Sequence, residues 1–217
     1  VRQITKADSM VRFVGKVCVL GLGFQMGAPE FQITLAKVAL GGPPVFFELD
    51  RCKAIVNTYR RQNHRIQHGW QICANIIEDM AAGRSGTYGP LTWEKERIRL
   101  PNGMHLKYPD LKVSKGDKGW DEWTYSAAGI RKKIYGGLLC ENIVQALARI
   151  IVLWQALQIA NHARLAMTTH DENVTCVKTR NAQKALDLMG YYMGTAPDWC
   201  KDIPLNSEGG FAQNYSK

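Results

Sequence analysis

The sequence predicts an α+β fold that is mostly helical. Two long stretches, Leu49–Met80 and Leu138–Leu165, carry apolar residues at helical spacing. Two other stretches alternate in the manner of strands around turn residues: Arg97–Tyr108 around Pro-Asn-Gly, and Ala166–Val177 around His170-Asp-Glu172. Hydrophobic residues make up 46% of the 217 positions, which is enough to bury a sizeable core.

Shorter patterns complete the expected order of elements. Pro29–Leu40 predicts a helix that Gly41-Gly-Pro-Pro44 ends, and Arg180–Met193 predicts another amphipathic helix. Asp110–Asp121 is charged and contains glycine, so we expect a loop there. Ala196–Lys217 is expected to be irregular.

The charge of the chain favours a polyanionic partner. Lys and Arg number 28 against 19 Asp and Glu, which gives a formal net charge of +9. Arginines alternate with aromatic residues along Leu49–Met80, and Arg131-Lys-Lys133 forms a second basic cluster. A merely solvated basic face explains the pattern along Leu49–Met80 equally well.

Composition also indicates the redox environment and the cellular location of the protein. Its six cysteines are scattered, with no Cys-x-x-Cys pair, so we expect reduced and mostly buried thiols and a cytoplasmic location. No stretch appears long and apolar enough to span a membrane, because Gln155 interrupts Ile150–Leu157. The chain begins with Val1 rather than Met, and we expect it to be part of something longer.

Arg12–Gly27 has two interpretations. As a helix, it brings Arg12, Lys16, Leu20 and Phe24, which are spaced by four, onto one stripe about 120° wide. Two cations followed by two apolar side chains suit a nucleoside triphosphate, whose phosphates need charge and whose sugar and base need packing.

As a strand and glycine turn, the same region begins a dinucleotide-binding unit. Val17–Leu20 would be the strand, Gly21-Leu-Gly23 the turn, and Glu48 or Asp50 the acidic residue after a second strand at Val45–Phe47. This interpretation predicts an NAD(P)-binding oxidoreductase on Val17–Asp50. The three glycines at 15, 21 and 23 favour it locally, since each costs a helix about 1 kcal/mol.

Two features of the second half suggest a functional surface. Glu141, Gln145 and Arg149 form a polar line on the long apolar helix, either a wet edge or the lining of a groove. His170, Asp171 and Glu172 lie at the expected tip of a hairpin, either as a polar turn or as a place where carboxylates meet a metal.

Several of these stretches, in this order, resemble the C-terminal part of the DNA polymerases related to bacterial DNA polymerase I, especially their phage members. Arg12-x3-Lys16-x7-Phe24 is similar to the fingers-helix motif of that family, and His170-Asp-Glu172 to its palm carboxylate motif. The other similar segments are Arg97-Ile-Arg-Leu-Pro101, Tyr135–Arg149 and Trp199–Gly209. The resemblance covers almost the whole chain, whereas the dinucleotide pattern explains only its first fifty residues and no βαβ alternation follows it.

The resemblance implies a role for each matching position. Arg12 and Lys16 would hold the triphosphate of the incoming deoxynucleotide, and Lys16 could protonate the leaving pyrophosphate. Leu20 would contact the sugar and base region, and Phe24 would stack near the templating pair. Gln145 and Arg149 would bind the primer-template duplex, His170 the primer end, and Asp171 with Glu172 the catalytic Mg²⁺ ions of a two-metal site.

The chain also departs from the family pattern. Gln25 stands where a glycine is expected, Leu20 is not aromatic, and Ile150 replaces a common Asp. The first palm motif, which carries the other metal-binding Asp, has no match in Val1–Val11. We therefore expect a fingers region with a hairpin insertion over 1–135 and a palm portion over 136–217, inactive without the upstream remainder of the polymerase. A non-catalytic nucleic-acid-binding module stays an alternative.

Overall fold

The computed structural model describes residues 5, 7–37, 42–116 and 119–215, and it confirms the α+β class. Its α-helices are α1 (Ser9–Val17), α2 (Ala28–Ala36), α3 (Leu49–Gln62), α4 (His64–Ala82), α5 (Gly136–Ala160) and α6 (Ala182–Met193). Its strands are β1 (Gly86–Tyr88), β2 (Leu91–Glu94), β3 (Arg97–Arg99), β4 (His105–Lys107), β5 (Lys112–Lys115), β6 (Asp121–Ala127), β7 (Ile130–Lys133), β8 (Leu165–Thr169) and β9 (Glu172–Thr175).

The strands form three small sheets, each made of strands that follow one another along the chain. The sheet orders are β1-β2-β3-β4, β5-β6-β7 and β8-β9. In the second sheet, antiparallel pairing aligns Val113 with Trp123 and Tyr125 with Lys132. Such local pairing needs only short connections between strands.

The chain divides into two compact units. The first comprises Val1–Thr87, Thr92–Ile98 and Leu106–Asn142, and the second comprises Tyr88–Leu91, Arg99–His105 and Ile143–Lys217. Helix α5 contributes its first turns to one unit and the rest to the other. The functional division at residue 135 stays a prediction.

The core of the first unit is built around α1, α2 and α3. Phe13 and Val17 lie on one face of α1 and pack into a buried cluster with Phe31, Leu35 and Val56. Helix α4 buries a second apolar face along its length: Trp70, Cys73, Ile76, Ile77 and Met80. These faces follow the 3.6-residue period that the sequence shows.

Both expected hairpins are confirmed. Strands β3 and β4 are neighbours around the Pro101-Asn-Gly103 turn, where Gly103 has φ 83° and Leu100 donates its N–H to the Met104 carbonyl at 2.8 Å. Strands β8 and β9 pair antiparallel on either side of His170-Asp171. The helices expected within Leu49–Met80 and Arg180–Met193 are present as α3, α4 and α6.

Three expectations about element boundaries were wrong. Lys112–Lys115 lies in the expected loop but forms strand β5, because it pairs with β6. The helix expected to continue to Leu165 ends at Ala160, and Leu165 begins β8, where it pairs with Thr175. The expected helix Pro29–Leu40 begins at Ala28 and is helical to Ala36, while residues 38–41 lie outside the described part of the chain.

Arg12–Gly27 is helical rather than a strand and a glycine turn. α1 runs into a π-helical turn at Cys18–Leu22, and Val45–Phe47 is not a strand, so the dinucleotide-binding interpretation was wrong. Burial of Phe13, Val17 and Leu22 in one cluster outweighs the poor helix propensity of the glycines. Gly21 also permits tight packing, because a Cβ there would lie 2.8 Å from the Met26 sulfur.

Helix α5 corrects the expectation that no segment is long and apolar enough to span a membrane. It has 25 residues, and an 18-residue window within it has a mean hydropathy of 1.6. Core helices of water-soluble proteins pass the same test of length and composition. Gln155 in its second half is 2% exposed and donates hydrogen bonds to the carbonyls of Met193 (2.9 Å) and Thr195 (3.0 Å). This face of α5 therefore packs on the end of α6.

Candidate functional site

The exposed face of α1 carries the two cations that the sequence singles out. Arg12 and Lys16 lie one helical turn apart and are both exposed, while Phe13 and Val17 point into the core. Leu20 follows in the π-helical turn and is 48% exposed. A π-helix turns through a smaller angle per residue than an α-helix. Around the helix axis, Leu20 therefore lies closer in angle to the cations than it would in a regular α-helix. The structure thus gives Arg12, Lys16 and Leu20 of the first unit access to solvent.

Phe24 does not extend this helical stripe. The helix ends at Leu22, Gly23–Gln25 form a turn, and the Phe24 side chain is half-buried. The prediction that all four residues lie on one helix was therefore wrong for Phe24. Its turn is tight: a Cβ at Gly23 would lie 2.6 Å from the Val19 carbonyl oxygen, so a side chain there would clash with the helix backbone.

The turn after this helix is held from three directions. The indole Nε1 of Trp70 donates to the Gly23 carbonyl at 2.8 Å, and Arg60 donates to the Met26 carbonyl at 3.3 Å. The backbone N–H of Gly137, in the first turn of α5, donates to Oε1 of Gln25 at 3.0 Å. The backbone after Leu22 is therefore fixed by side chains and backbone from α3, α4 and α5.

A cavity of about 520 Å³ lies beside this turn, within the first unit. Amide, guanidinium and aromatic groups line much of it. Its lining residues are Gln25, Arg60, Gln67, Trp70, Gln71, Ala74, Ile77, Trp123, Tyr135 and Gly136. The guanidinium of Arg60 lies 5.8 Å from the Trp70 ring centroid, and its buried Nε has no hydrogen-bond partner.

The chemistry of this cavity suits a planar, polar ligand. Aromatic walls offer stacking surfaces, while the glutamine amides offer hydrogen bonds. The sequence did not predict the cavity. The alternation of arginine and aromatic residues along Leu49–Met80 was the sequence feature that could have indicated it. The positions of Trp123 and Tyr135 in its lining depend on tertiary packing.

In the second unit, Asp171 lies at the tip of the β8-β9 hairpin. Thr169 pairs with Glu172, so His170 and Asp171 form a two-residue loop. His170 has φ 47°, the left-handed conformation that such tight loops require. Both loop side chains are exposed. The hairpin thus presents the Asp171 carboxylate to solvent on a defined turn.

Two contacts join this hairpin to other segments of the second unit. Arg149 on α5 donates to the carbonyl of His170 and to the Thr168 hydroxyl, each at 3.2 Å. The Tyr215 hydroxyl donates to Oε2 of Glu172 at 3.2 Å. The interpretation of Arg149 as part of a polar groove lining is thereby refined: it holds the backbone of the loop that carries Asp171.

A buried amide anchors the hairpin close to its loop. Asn173 is 7% exposed, and its Nδ2 donates to the Met193 sulfur at 3.0 Å and contacts the Val152 carbonyl at 3.5 Å. Its Oδ1 is buried without a partner. Gln145 is exposed on α5, one turn before Arg149.

The described residues do not make a complete metal site. Carboxylate oxygens such as those of Asp171 and Glu172 are the ligands that Mg²⁺ prefers. Over the described part of the chain, however, no group of three or more His, Cys, Asp or Glu side chains is placed to hold a metal ion. His64 and His68 lie one turn apart on α4 and are exposed.

The candidate residues form two sets. Arg12, Lys16 and Leu20 are all exposed in the first unit, and Phe24 follows in the turn. The second set, in the second unit, consists of Gln145, Arg149, His170, Asp171 and Glu172, of which Arg149 directly contacts the hairpin.

Comparison with known proteins gives one relative. The chain is similar to a DNA polymerase of Bacillus phage SP02, with 29% identity over 230 aligned residues. The alignment covers all of this chain and 34% of the phage polymerase, so the chain spans about a third of the length of the curated relative that it matches. No protein-family model matches the chain, and no solved structure matches it.

Both sets of candidate residues fall within the aligned region, because the alignment extends over the whole chain. The aligned region therefore includes α1, the turn after it and the β8-β9 hairpin. It is not confined to one short motif.

Proposed function

We propose that this chain is the nucleotide-binding and primer-end-binding part of a phage DNA polymerase related to bacterial DNA polymerase I. The observation that carries the proposal is the similarity of the whole chain to a phage DNA polymerase. The exposed cations on α1 and the exposed carboxylate on the hairpin tip support it, because nucleotidyl transfer needs both kinds of group.

In this proposal, Arg12 and Lys16 bind the incoming deoxynucleoside triphosphate. The planar guanidinium of Arg12 can donate two parallel hydrogen bonds to phosphate oxygens, and the ammonium of Lys16 is a compact charge. When the primer 3′-hydroxyl attacks the α-phosphorus, pyrophosphate leaves, and Lys16 can protonate it. Leu20 packs on the sugar and base region, and the Phe24 ring lies near the templating pair.

The hairpin residues act at the primer end. Asp171, with Glu172 beside it, contributes to a cation site that a carboxylate from the remainder of the polymerase completes. His170 contacts the primer terminus, Gln145 faces the primer-template duplex, and Arg149 holds the loop that carries Asp171.

The cavity beside the turn is proposed to accept an unpaired base of the template strand. Its amides and its aromatic walls fit a planar heterocycle with carbonyl and amine groups. A template whose first unpaired nucleotide lacks a base should bind the protein more weakly than the intact template. In a Gln71→Ala variant this difference should shrink, and equal affinities in the unaltered protein would contradict this role.

The deciding experiment for the function is Asp171→Asn in the full-length polymerase that contains this chain. Primer extension should fall by at least about 100-fold, because a group that acts in the chemical step is lost. DNA affinity should change little, since a neutral isostere removes no cation. Asp187→Asn, at an exposed position on α6, is the matched control and should leave extension intact.

Two other outcomes separate the alternatives. Unchanged primer extension by the Asp171→Asn enzyme would show that the Asp171 carboxylate does not take part in the reaction. DNA binding without extension by the full-length protein would favour the non-catalytic nucleic-acid-binding module. The isolated 217-residue chain is expected to bind primer-template DNA without extending it.

A further inference from the structure

Helices α4 and α5 lie close together where Gly136 meets the backbone of Trp70. A Cβ on Gly136 would lie only 2.2 Å from the Trp70 carbonyl oxygen and 3.2 Å from the Ala74 nitrogen. Both segments belong to the first unit. A side chain at position 136 would force the helices apart, so the glycine permits this crossing.

The crossing brings two cysteines together. Cys73 lies three residues after Trp70 on α4, and Cys140 lies one helical turn after Gly136 on α5. Their thiols lie within hydrogen-bonding reach of each other and are not joined by a disulfide. Cys73 is buried, at 7% exposure, whereas Cys140 is partly exposed.

The environment makes the two thiols chemically unequal. The hydrogen bond with Cys73 lowers the pKa of Cys140, which favours a thiolate at the more exposed position. The same hydrogen bond, together with burial, raises the pKa of Cys73. A partly exposed thiolate beside a second thiol is the arrangement of a nucleophilic cysteine with a resolving cysteine.

The other cysteines lack this combination. Burial raises the pKa of Cys18, Cys52 and Cys200. Cys176 is exposed, but it lies in the second unit, whereas Cys73 and Cys140 lie in the first. It therefore serves as an internal reference for the reactivity of an ordinary surface thiol.

We propose that Cys73 and Cys140 form a dithiol modification site that reacts with low-molecular-weight disulfides and closes into a disulfide joining α4 to α5. The Cys140 thiolate attacks one sulfur of oxidised glutathione, forming a mixed disulfide and releasing one glutathione thiolate. The Cys73 thiol then loses its proton and attacks the Cys140 sulfur, which releases the second glutathione. Two cysteine thiols are oxidised, and one molecule of oxidised glutathione is reduced to two of glutathione.

Closure of this disulfide has a structural consequence. The new bond would lie beside Trp70, Ala74 and Gly136, which line the cavity of the first unit. It would tie the first turn of α5 to α4, and that turn also binds Gln25. Formation of this disulfide does not depend on polymerase activity.

The test is to treat dilute, purified protein with an excess of oxidised glutathione and to map its disulfides by mass spectrometry without reduction. The expected product is a peptide pair linked through Cys73 and Cys140, with glutathione on Cys176 as the reference adduct. The melting temperature of the oxidised protein should rise, and reduction should return it to its original value.

Two single variants assign the roles. In Cys73→Ser, the mixed disulfide with glutathione should accumulate on Cys140, since the resolving thiol is absent. In Cys140→Ser, Cys73 should stay unmodified while Cys176 still reacts, because Cys73 is buried. Serine is nearly isosteric with cysteine, and unchanged far-ultraviolet circular dichroism verifies that each variant is folded.

Two results would overturn the proposal. One is a stable glutathione adduct on Cys140 of the unaltered protein without a link to Cys73. The other is modification of Cys140 no faster than that of Cys176, which would mean that the two thiols only pack against each other.

Discussion

Gly137 donates its backbone N–H to the side-chain oxygen of Gln25 at 3.0 Å, and Gln25 itself has φ 72°. This is the left-handed region that glycine adopts without strain and other residues rarely enter. The resemblance to polymerases places a glycine at position 25. Glutamine is strained in this conformation, and its hydrogen bond with Gly137 offsets part of that strain.

Gly137→Ala should destabilise the protein. The new Cβ would lie 2.5 Å from the Gln25 Cβ and 2.7 Å from the Phe24 carbonyl oxygen, so the turn or α5 must shift. We expect a loss of about 1–3 kcal/mol in the free energy of unfolding, measured by urea denaturation. Gly69→Ala on α4 is the matched control: a Cβ there meets nothing within 4 Å, and stability should rise by about 0.5–1 kcal/mol. Equal effects of the two substitutions would contradict the close contact.

Gln25→Ala should be more destabilising than Gln25→Gly. Alanine loses the hydrogen bond to Gly137 and keeps the cost of a Cβ in the left-handed region, about 1–2 kcal/mol. Glycine loses the same bond but relieves that cost. Urea denaturation of both variants gives the order. Equal free energies of unfolding for the two variants would mean that the left-handed backbone conformation at position 25 costs no free energy.

Arg12→Lys should weaken nucleotide binding without affecting the fold. The guanidinium is exposed, and lysine keeps the charge but loses the planar pair of donors. In the full-length polymerase we expect the KM for deoxynucleotides to rise about tenfold, which corresponds to about 1.4 kcal/mol. Arg180→Lys, at another exposed arginine, should leave KM unchanged. An unchanged KM for the Arg12→Lys variant would show that α1 is not part of the proposed nucleotide site.

Arg149→Ala should lower the rate of primer extension through the position of Asp171. The substitution removes the hydrogen bonds to the His170 carbonyl and the Thr168 hydroxyl, so the tip of the hairpin is less constrained. We expect kcat to fall by about tenfold with little change in the KM for nucleotide. Arg164→Ala, just before β8, is the control. A rise in the KM for DNA with an unchanged kcat would mean that Arg149 binds the duplex instead.

The free energy of unfolding should fall at high pH because of the ionisation of Tyr108. Burial raises the pKa of its hydroxyl to about 12, and the side chain is 3% exposed, with Asn142 donating to its oxygen at 3.1 Å. The pKa in the folded state exceeds the unfolded value near 10, so unfolding releases a proton between these pH values. This contribution to stability is complete below pH 10 and is lost as the pH rises toward 12. It amounts to about 2–3 kcal/mol.

The measurement for Tyr108 compares urea denaturation of the unaltered protein and Tyr108→Phe from neutral pH to about pH 11. The slope of stability against pH should be shallower for the phenylalanine variant, because the other titrating groups are common to both proteins. Tyr88→Phe, at an exposed tyrosine, is the control and should leave the slope unchanged. Identical slopes for all three proteins would show that Tyr108 ionises in the folded state as it does in the unfolded state.

The sequence by itself determined the α+β class, the helices that became α3, α4 and α6, and both hairpins. These features depend on local periodicity and turn chemistry, such as Pro101-Asn-Gly103 and the apolar spacing along α4. It also predicted that Asp171 lies at a hairpin tip, although Glu172, which was expected at the same tip, begins β9 and pairs with Thr169. Each of these properties is set by residues that are close together in the chain.

Only the tertiary structure decided the conformation of Arg12–Gly27. Three glycines favoured a strand and turn, but burial of Phe13, Val17 and Leu22 beside Phe31 and Val56 makes the segment helical. The cavity, the contact between Gln25 and Gly137, and the pairing of Cys73 with Cys140 join residues up to 112 positions apart. Local patterns contain no information about such contacts, because they arise only when distant helices pack and small residues such as Gly136 allow a close crossing.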